Sequence, residues 1–186
     1  MTSIQKILGR NPIHPFPPRM APSIAIEALS DTKQRLRVLD PMAGSGTVLA
    51  VSQSVGHKAI GFDVDPLSVL LSRVWSTPID KERLISKSLD VLNRAKRNFA
   101  NISVKNAYPV GADEETKAFV RYWFDPYARR QLAALALAIR KVHAQDVRDA
   151  LWCSFSRLII TKSSGSSLAM DLSHSRPHKV YSRAPV

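Results

Sequence analysis

A chain of 186 residues with 27 Lys and Arg against 15 Asp and Glu carries a formal net charge of +12, and its length suits one ordinary domain or one domain and a piece of another. Hydrophobic residues make up 45% of it, which excludes wholesale disorder. The cationic surplus favours a polyanionic partner, because Lys and Arg displace condensed counterions from phosphate; the alternatives are a cationic protein without such a partner, or a piece whose acidic part is missing. One cysteine, Cys153, excludes an internal disulfide and a cysteine-rich metal site and fits a reducing compartment. The first twenty residues lack the apolar core of a secretory signal, and no apolar run approaches a membrane span. The expectation is a soluble, cytoplasmic protein without a membrane partner.

In chain order, residues 1–20 are Pro-rich and irregular, and APSIAIEALS (21–30) predicts a short helix with Ile24, Ala28 and Leu29 on one side. RLRVLD (35–40) has the pattern of a buried strand ending at Asp40. PMAGSG is a turn, TVLAVSQSV (47–55) a helix closed by Gly56, and KAIGFD (58–63) a second strand. Asp65 and Pro66 are a cap and first turn for the helix PLSVLLSRVWS. From residue 81 the character becomes helical and basic. KERLISKSLDVLNRAKRNFANI, ADEETKAFVRYWF and DPYARRQLAALALAIRKVHA read as helices, the last with Asp125 as cap. QDVRDALWCSFSRLIITK is a further helix with Leu151, Phe155, Leu158 and Ile159 inward. Trp123, Phe124 and Trp152 at helical spacing read as core rather than as base-stacking groups. The end, from residue 163, reads as a basic loop. The expected organisation is a β/α unit over 1–80, a helical insert over 81–162 and a basic loop over 163–186.

The stretch from Leu36 to Pro66 is a strand, a small-residue turn, a helix and a second strand. Glycine lets a ligand approach the backbone and supplies dihedrals that other residues avoid. The second strand delivers Asp63 about twenty residues after the turn, where a carboxylate can accept from both hydroxyls of a ribose. The turn reads Gly44-Ser-Gly46 after Asp40 and Pro41, not G-x-G-x-x-G, and an acid beside it is poorly placed for a pyrophosphate. S-adenosylmethionine offers a ribose and adenine without phosphate, and a cationic sulfonium that Asp40 is placed to orient. With Asp40, Pro41, Thr47 and Asp63 in register, a ligand turn is a better reading than a bare strand-to-helix connection.

VLDPMAGSGTVLA resembles the cofactor motif D-P-F-x-G-S-G-T of the amino-methyltransferases that act on adenine N6 or cytosine N4 in DNA. HPFPPRMAP (14–22) is similar to the H-P-(Y/F)-P-x-(K/R) stretch that closes over the cofactor's methionine end in many of them, and GFDVDPLSVLLSRVWSTP (61–78) to their second-strand pattern. SRLIITKSSGSSLAMDLSHSRPHKVY is similar to a segment of some bacterial site-specific DNA methylases. Met42, where Phe is usual, is a departure shared with some RNA methyltransferases. The resemblance implies an α/β, Rossmann-like class I S-adenosylmethionine-dependent methyltransferase with DNA as partner. It implies that Asp40, Ala43, Gly44 and Gly46 line the methionine moiety, with Pro41 and Thr47 also in the cofactor site, that Asp63 holds the ribose, that Val64 flanks adenine, and that Phe16 and Arg19 come from the leading motif.

Such enzymes activate the weakly nucleophilic exocyclic amine with a loop of Asp, Asn or Ser, two prolines and an aromatic, which receives a base flipped from the helix. NPIH, DPYA and FPPR come nearest here and none qualifies, so no catalytic residue is assigned. Two strands make an incomplete sheet. The expectation is an N-terminal, cofactor-binding fragment, inactive by itself, with a degenerate homologue as the second explanation. His174, Arg176 and Lys179 in SHSRPHK suit phosphate contact; Pro177 between His174 and His178 argues against a helical metal site, and no metal is expected. The rivals are an RNA methyltransferase, a non-catalytic DNA-binding piece with a vestigial pocket and, disfavoured by the missing third glycine, a nicotinamide dehydrogenase.

Overall fold

The computed structural model describes residues 14, 20–32, 34–159, 165–170, 178–179 and 182–184. The chain divides into two compact units, residues 1–78 and 79–186. The architecture is mixed α/β and mostly helical, with a small parallel sheet in the first unit.

The first unit runs α1 (Pro22–Ser30), β1 (Arg37–Asp40), α2 (Thr47–Ser54), β2 (Lys58–Gly61) and α3 (Pro66–Ser76). β1 and β2 are parallel, with Arg37 opposite Lys58 and Asp40 opposite Gly61. Parallel neighbours need a crossover, and α2 supplies it. Gly56, at φ +82°, takes the left-handed conformation that closes α2. Ala25, Leu29 and Val51 are buried together, with Val38, Val48 and Val55 packed on them. Buried His57 ties the parts: Leu36 N–H donates to its Nδ1 at 3.4 Å, which leaves Nε2–H to donate to the Leu29 carbonyl at 3.0 Å.

Two sequence expectations are corrected in this unit. The inward side of α1 is Ala25 and Leu29, while Ile24 is 58% exposed and Ala28 is exposed too. The stripe lies one residue round the helix from the one expected, because α1 packs on α2 through Ala25 and Leu29. The strands are also not buried on both faces. Their pleat alternates exposed and half-buried residues, leaving Leu39, Ile60 and Phe62 each more than half exposed. Gly61 shows which face is covered. A Cβ there would lie 2.7 Å from Leu49 of α2 and 2.9 Å from Ala43 of the turn. Among the described residues nothing of comparable bulk covers the opposite face.

The second unit holds α4 (Lys81–Phe99), α5 (Glu114–Trp123), α6 (Pro126–Arg140) and α7 (Gln145–Ile159), then β3 (Ala169–Met170) and β4 (His178–Lys179). Val91 and Ala95 of α4 meet Ala134, Ala138 and Ile139 of α6 and Val147 and Leu151 of α7 in one core. Alanine at the crossing lets the helices approach closely. Asp80, Asp113 and Asp125 each accept a backbone N–H of the helix they precede. Arg130 closes the other end of α4: Nε donates to the Ile102 carbonyl at 2.6 Å, and the guanidinium lies 4.3 Å from the Phe99 ring centroid.

Asp125 does more than cap α6. Its Oδ1 accepts from Tyr127 and Ala128 and its Oδ2 from Ala184, 59 residues away. Asp125→Ala is therefore expected to lower stability by about 1–2 kcal/mol in chemical denaturation, the upper end of the range for a lost cap. Burial pushes the Cys153 thiol up to about 11, so it is inert in the folded chain.

Two expectations are corrected here as well. Leu158 is 42% exposed; the inward side of α7 is Val147, Ala150, Leu151 and Cys153. The segment after residue 163 is not wholly loop, because Ala169 and Met170 pair antiparallel with Lys179 and His178. Leu168 N–H donates to the Trp123 carbonyl at 2.7 Å, which seats this pair on the end of α5. Among the described residues no helix is long and apolar enough to cross a membrane.

Candidate cofactor site

β1 ends at Asp40, and the chain turns through Gly44 at φ +50° and Gly46 at φ +83° before α2 begins. Both dihedrals lie where glycine is favoured. The turn is laced to the chain leaving β2: Phe62 N–H donates to the Asp40 carbonyl, and Ala43 N–H to the Phe62 carbonyl, both at 2.9 Å. Asp63 completes the clasp. Its Oδ2 accepts from Gly44 N–H at 2.8 Å and its Oδ1 from Asp65 N–H at 2.9 Å. These amides, Asp65 first and Gly44 second, hold its carboxyl below the usual carboxylate range, so it is ionised at neutral pH. Asp65 is the N-cap of α3, accepting from Leu67 N–H at 2.9 Å.

Beside the turn lies a cleft of about 370 Å³, lined among others by Asp40, Met42, Ala43, Gly44, Ser45 and Thr47. Asp40 Oδ1 accepts from Met42 N–H at 3.1 Å and is the acid of the cleft. Among the described residues the lining contains no Lys or Arg. Ser45 is buried, and its Oγ has no hydrogen-bond partner among the described residues. A carboxylate, backbone amides at a helix start, and an orphaned buried hydroxyl form a donor set that fits a cationic, phosphate-free ligand.

The sequence-assigned residues fall into distinct places. Asp40, Ala43, Gly44 and Thr47 line the cleft. Pro41 is exposed in the turn and Val64 is fully exposed. Gly46 stands behind the cleft, where an added Cβ would lie 2.7 Å from both Cα and Cβ of Ser72 on α3. Asp63 reaches the cleft through its bond to Gly44. Phe16, Arg19, His174 and Arg176 lie outside the described residues. Lys179 is exposed in the second unit, its ammonium 5.4 Å from the Tyr122 ring centroid. Sequence reasoning passed over Ser45 and Met42 as lining residues. The signal for Ser45 was its position between the two turn glycines. Among the described residues no group of three or more His, Cys, Asp or Glu could hold a metal.

A larger hollow of about 530 Å³ lies along the strands, lined by Arg37, Leu39, Lys58 and Ile60 among others. It contains no carboxylate and coincides with the uncovered strand residues, so it lacks the chemistry of the turn.

Three curated relatives share sequence with the chain. Type II methyltransferase M.MvaI of Kocuria varians is 25% identical over 150 residues, 78% of this chain and 33% of that protein. Type II methyltransferase M.MjaII of Methanocaldococcus jannaschii is 31% identical over 94 residues, 48% of this chain and 17% of that one. Type II methyltransferase M.BamHI of Bacillus amyloliquefaciens is 39% identical over 57 residues, 31% of this chain and 13% of that one. The chain thus spans a third or less of the length of these relatives. No protein-family profile matches it, and no solved structure matches it. The chain is thus similar in sequence to type II methyltransferases.

Proposed function

We propose that residues 1–80 bind S-adenosylmethionine as the cofactor portion of a Rossmann-like class I methyltransferase acting on an exocyclic amine of adenine or cytosine in DNA. The observation that carries this reading is the Asp63–Gly44 clasp, which puts an ionised carboxylate against a glycine turn whose cleft is lined by the acid Asp40. In this reading Asp40 faces the cationic end of the cofactor, and Ser45 and the first amides of α2 receive its polar amino-acid end. Asp63 keeps acceptor capacity for the ribose beyond its two backbone bonds, since a carboxylate offers about four lone-pair sites. Val64, Phe16 and Arg19 complete the enclosure, Val64 as the flank for adenine. The bound cofactor supplies an electrophilic methyl group on sulfur; the chain's contribution is positioning and exclusion of water.

Residues 81–162 are a helical insert in this reading, and His174, Arg176 and Lys179 of the basic segment contact DNA phosphate. The chain by itself holds the cofactor without catalysing transfer, and it works in the cytoplasm. Calorimetry on the whole chain tests the reading. S-adenosylhomocysteine and S-adenosylmethionine are expected to bind and NAD not to bind. A DNA duplex is expected to bind with an affinity that falls steeply as salt rises. Binding of NAD in preference to both sulfur nucleosides would overturn the cofactor assignment.

A further inference from the structure

The second unit contains its own cavity, about 320 Å³, lying among α5, α6, α7 and the segment 106–110. Its walls are apolar and aromatic: Tyr108, Phe124, Leu132, Trp152 and Phe155. Set into them is Arg129, only 7% exposed. Its Nη1 donates to the Tyr108 hydroxyl at 2.8 Å and its guanidinium lies 5.2 Å from the Tyr108 ring centroid, while Nε is buried without a hydrogen-bond partner. No ion pair joins Arg129 to an Asp or Glu among the described residues.

A buried guanidinium with no paired acid among the described residues is an unusual arrangement. Burial of an unpaired charge is costly, and arginine cannot escape by losing its proton as lysine does. The hydroxyl of Tyr108 is a neutral acceptor and leaves the charge uncompensated. Arg121 also reaches that hydroxyl, at 3.5 Å, so the positive potential at this end of the cavity is reinforced. The hydrogen bond from Arg121 first, and that from Arg129 after it, hold the Tyr108 phenol below its usual range against the opposing effect of burial.

We propose that this cavity is a binding site for an organic anion, a carboxylate or phosphate carried on a flat apolar body, with the anion at Arg129 and Tyr108 and the body among Phe124, Leu132, Trp152 and Phe155. The volume is that of a small-ligand pocket, and the apolar walls raise the strength of the single charge-assisted contact. The site is separate from the turn of the first unit, and the proposal stands whether or not that turn binds S-adenosylmethionine.

Calorimetry on the whole chain with three probes tests it: indole-3-acetate, its neutral counterpart indole-3-acetamide, and adenosine 5′-monophosphate. At least one of the two anions is expected to bind about tenfold or more tighter than the amide, the difference being the charged contact. Preference for indole-3-acetate assigns a carboxylate ligand and preference for the nucleotide assigns a phosphate. Arg129→Met, which keeps the bulk and removes the charge, is expected to erase the difference between anion and amide. Ala136→Phe, which fills the cavity, is expected to abolish binding of all three. The comparison of anion and amide on the unaltered chain stands even where a variant fails to fold. Equal binding of anion and amide, or no binding of either anion, overturns the proposal, as does an Arg129→Met chain that folds and keeps its preference for the anion.

Discussion

Asp63→Ala is expected to weaken S-adenosylhomocysteine binding beyond detection by calorimetry while leaving the second unit folded. The side chain accepts one backbone N–H with each oxygen, from Gly44 and from Asp65. Removing it leaves two amides without acceptors at the point where the turn must hold its shape, and removes the group that receives the ribose hydroxyls in the proposed complex. Asp63→Asn is expected to be nearly as damaging, because its amide nitrogen would point a donor at one of the two N–H donors. The pH dependence follows from the same bonds. The carboxyl of Asp63 is held below its ordinary value in the folded chain. Its stabilisation is thus fully present above the unfolded value of about 4 and is lost only as pH falls through the lower folded value. The difference in melting temperature between the parent and Asp63→Ala is expected to be constant from neutrality down to about pH 5 and to shrink only in stronger acid. A difference that disappears between pH 7 and pH 5 would contradict the ionised clasp.

Gly46→Ala carries the largest expected loss of stability. Position 46 is at φ +83°, and the left-handed conformation costs a non-glycine residue about 1–2 kcal/mol. The added methyl would also lie 2.7 Å from the Cα and Cβ of Ser72, in backbone-anchored parts of α3 that cannot swing aside. Overpacking of that kind costs about 1–3 kcal/mol more. The sum, roughly 2–5 kcal/mol, is large against the total stability of a domain. Gly56 is the control. It has nearly the same φ, +82°, but an added Cβ would meet nothing within 4 Å. Gly56→Ala is expected to cost about 1 kcal/mol by conformation alone. Denaturation of the two variants side by side separates strain from collision, and equal losses would mean that α2 and α3 are not in close contact at Gly46.

What the chain's order of residues determined by itself is the set of features whose causes are neighbours. Asp65 before Pro66, and Asp125 before Pro126, announce helix starts because a cap and the amide it serves are two or three residues apart. Gly56 announces a helix end for the same reason, and Gly44 and Gly46 announce a bend because left-handed dihedrals are a property of single residues. The strand–turn–helix–strand order and the acid at position 63 were legible on the same terms. Only the tertiary structure decided what depends on distant partners. The Gly44 amide chose Asp63, 19 residues on. Burial of Ala25 rather than Ile24 was decided by α2. The exposure of Leu39, Ile60 and Phe62 depends on what does not cover them, and an apolar residue in a strand reads the same in sequence on either face. Arg129 reads as one more cation on a basic helix; its burial beside Tyr108 follows from packing between segments 21 residues apart. Local dihedral and capping preferences are written residue by residue, whereas burial and charge pairing belong to the space that the folded chain encloses.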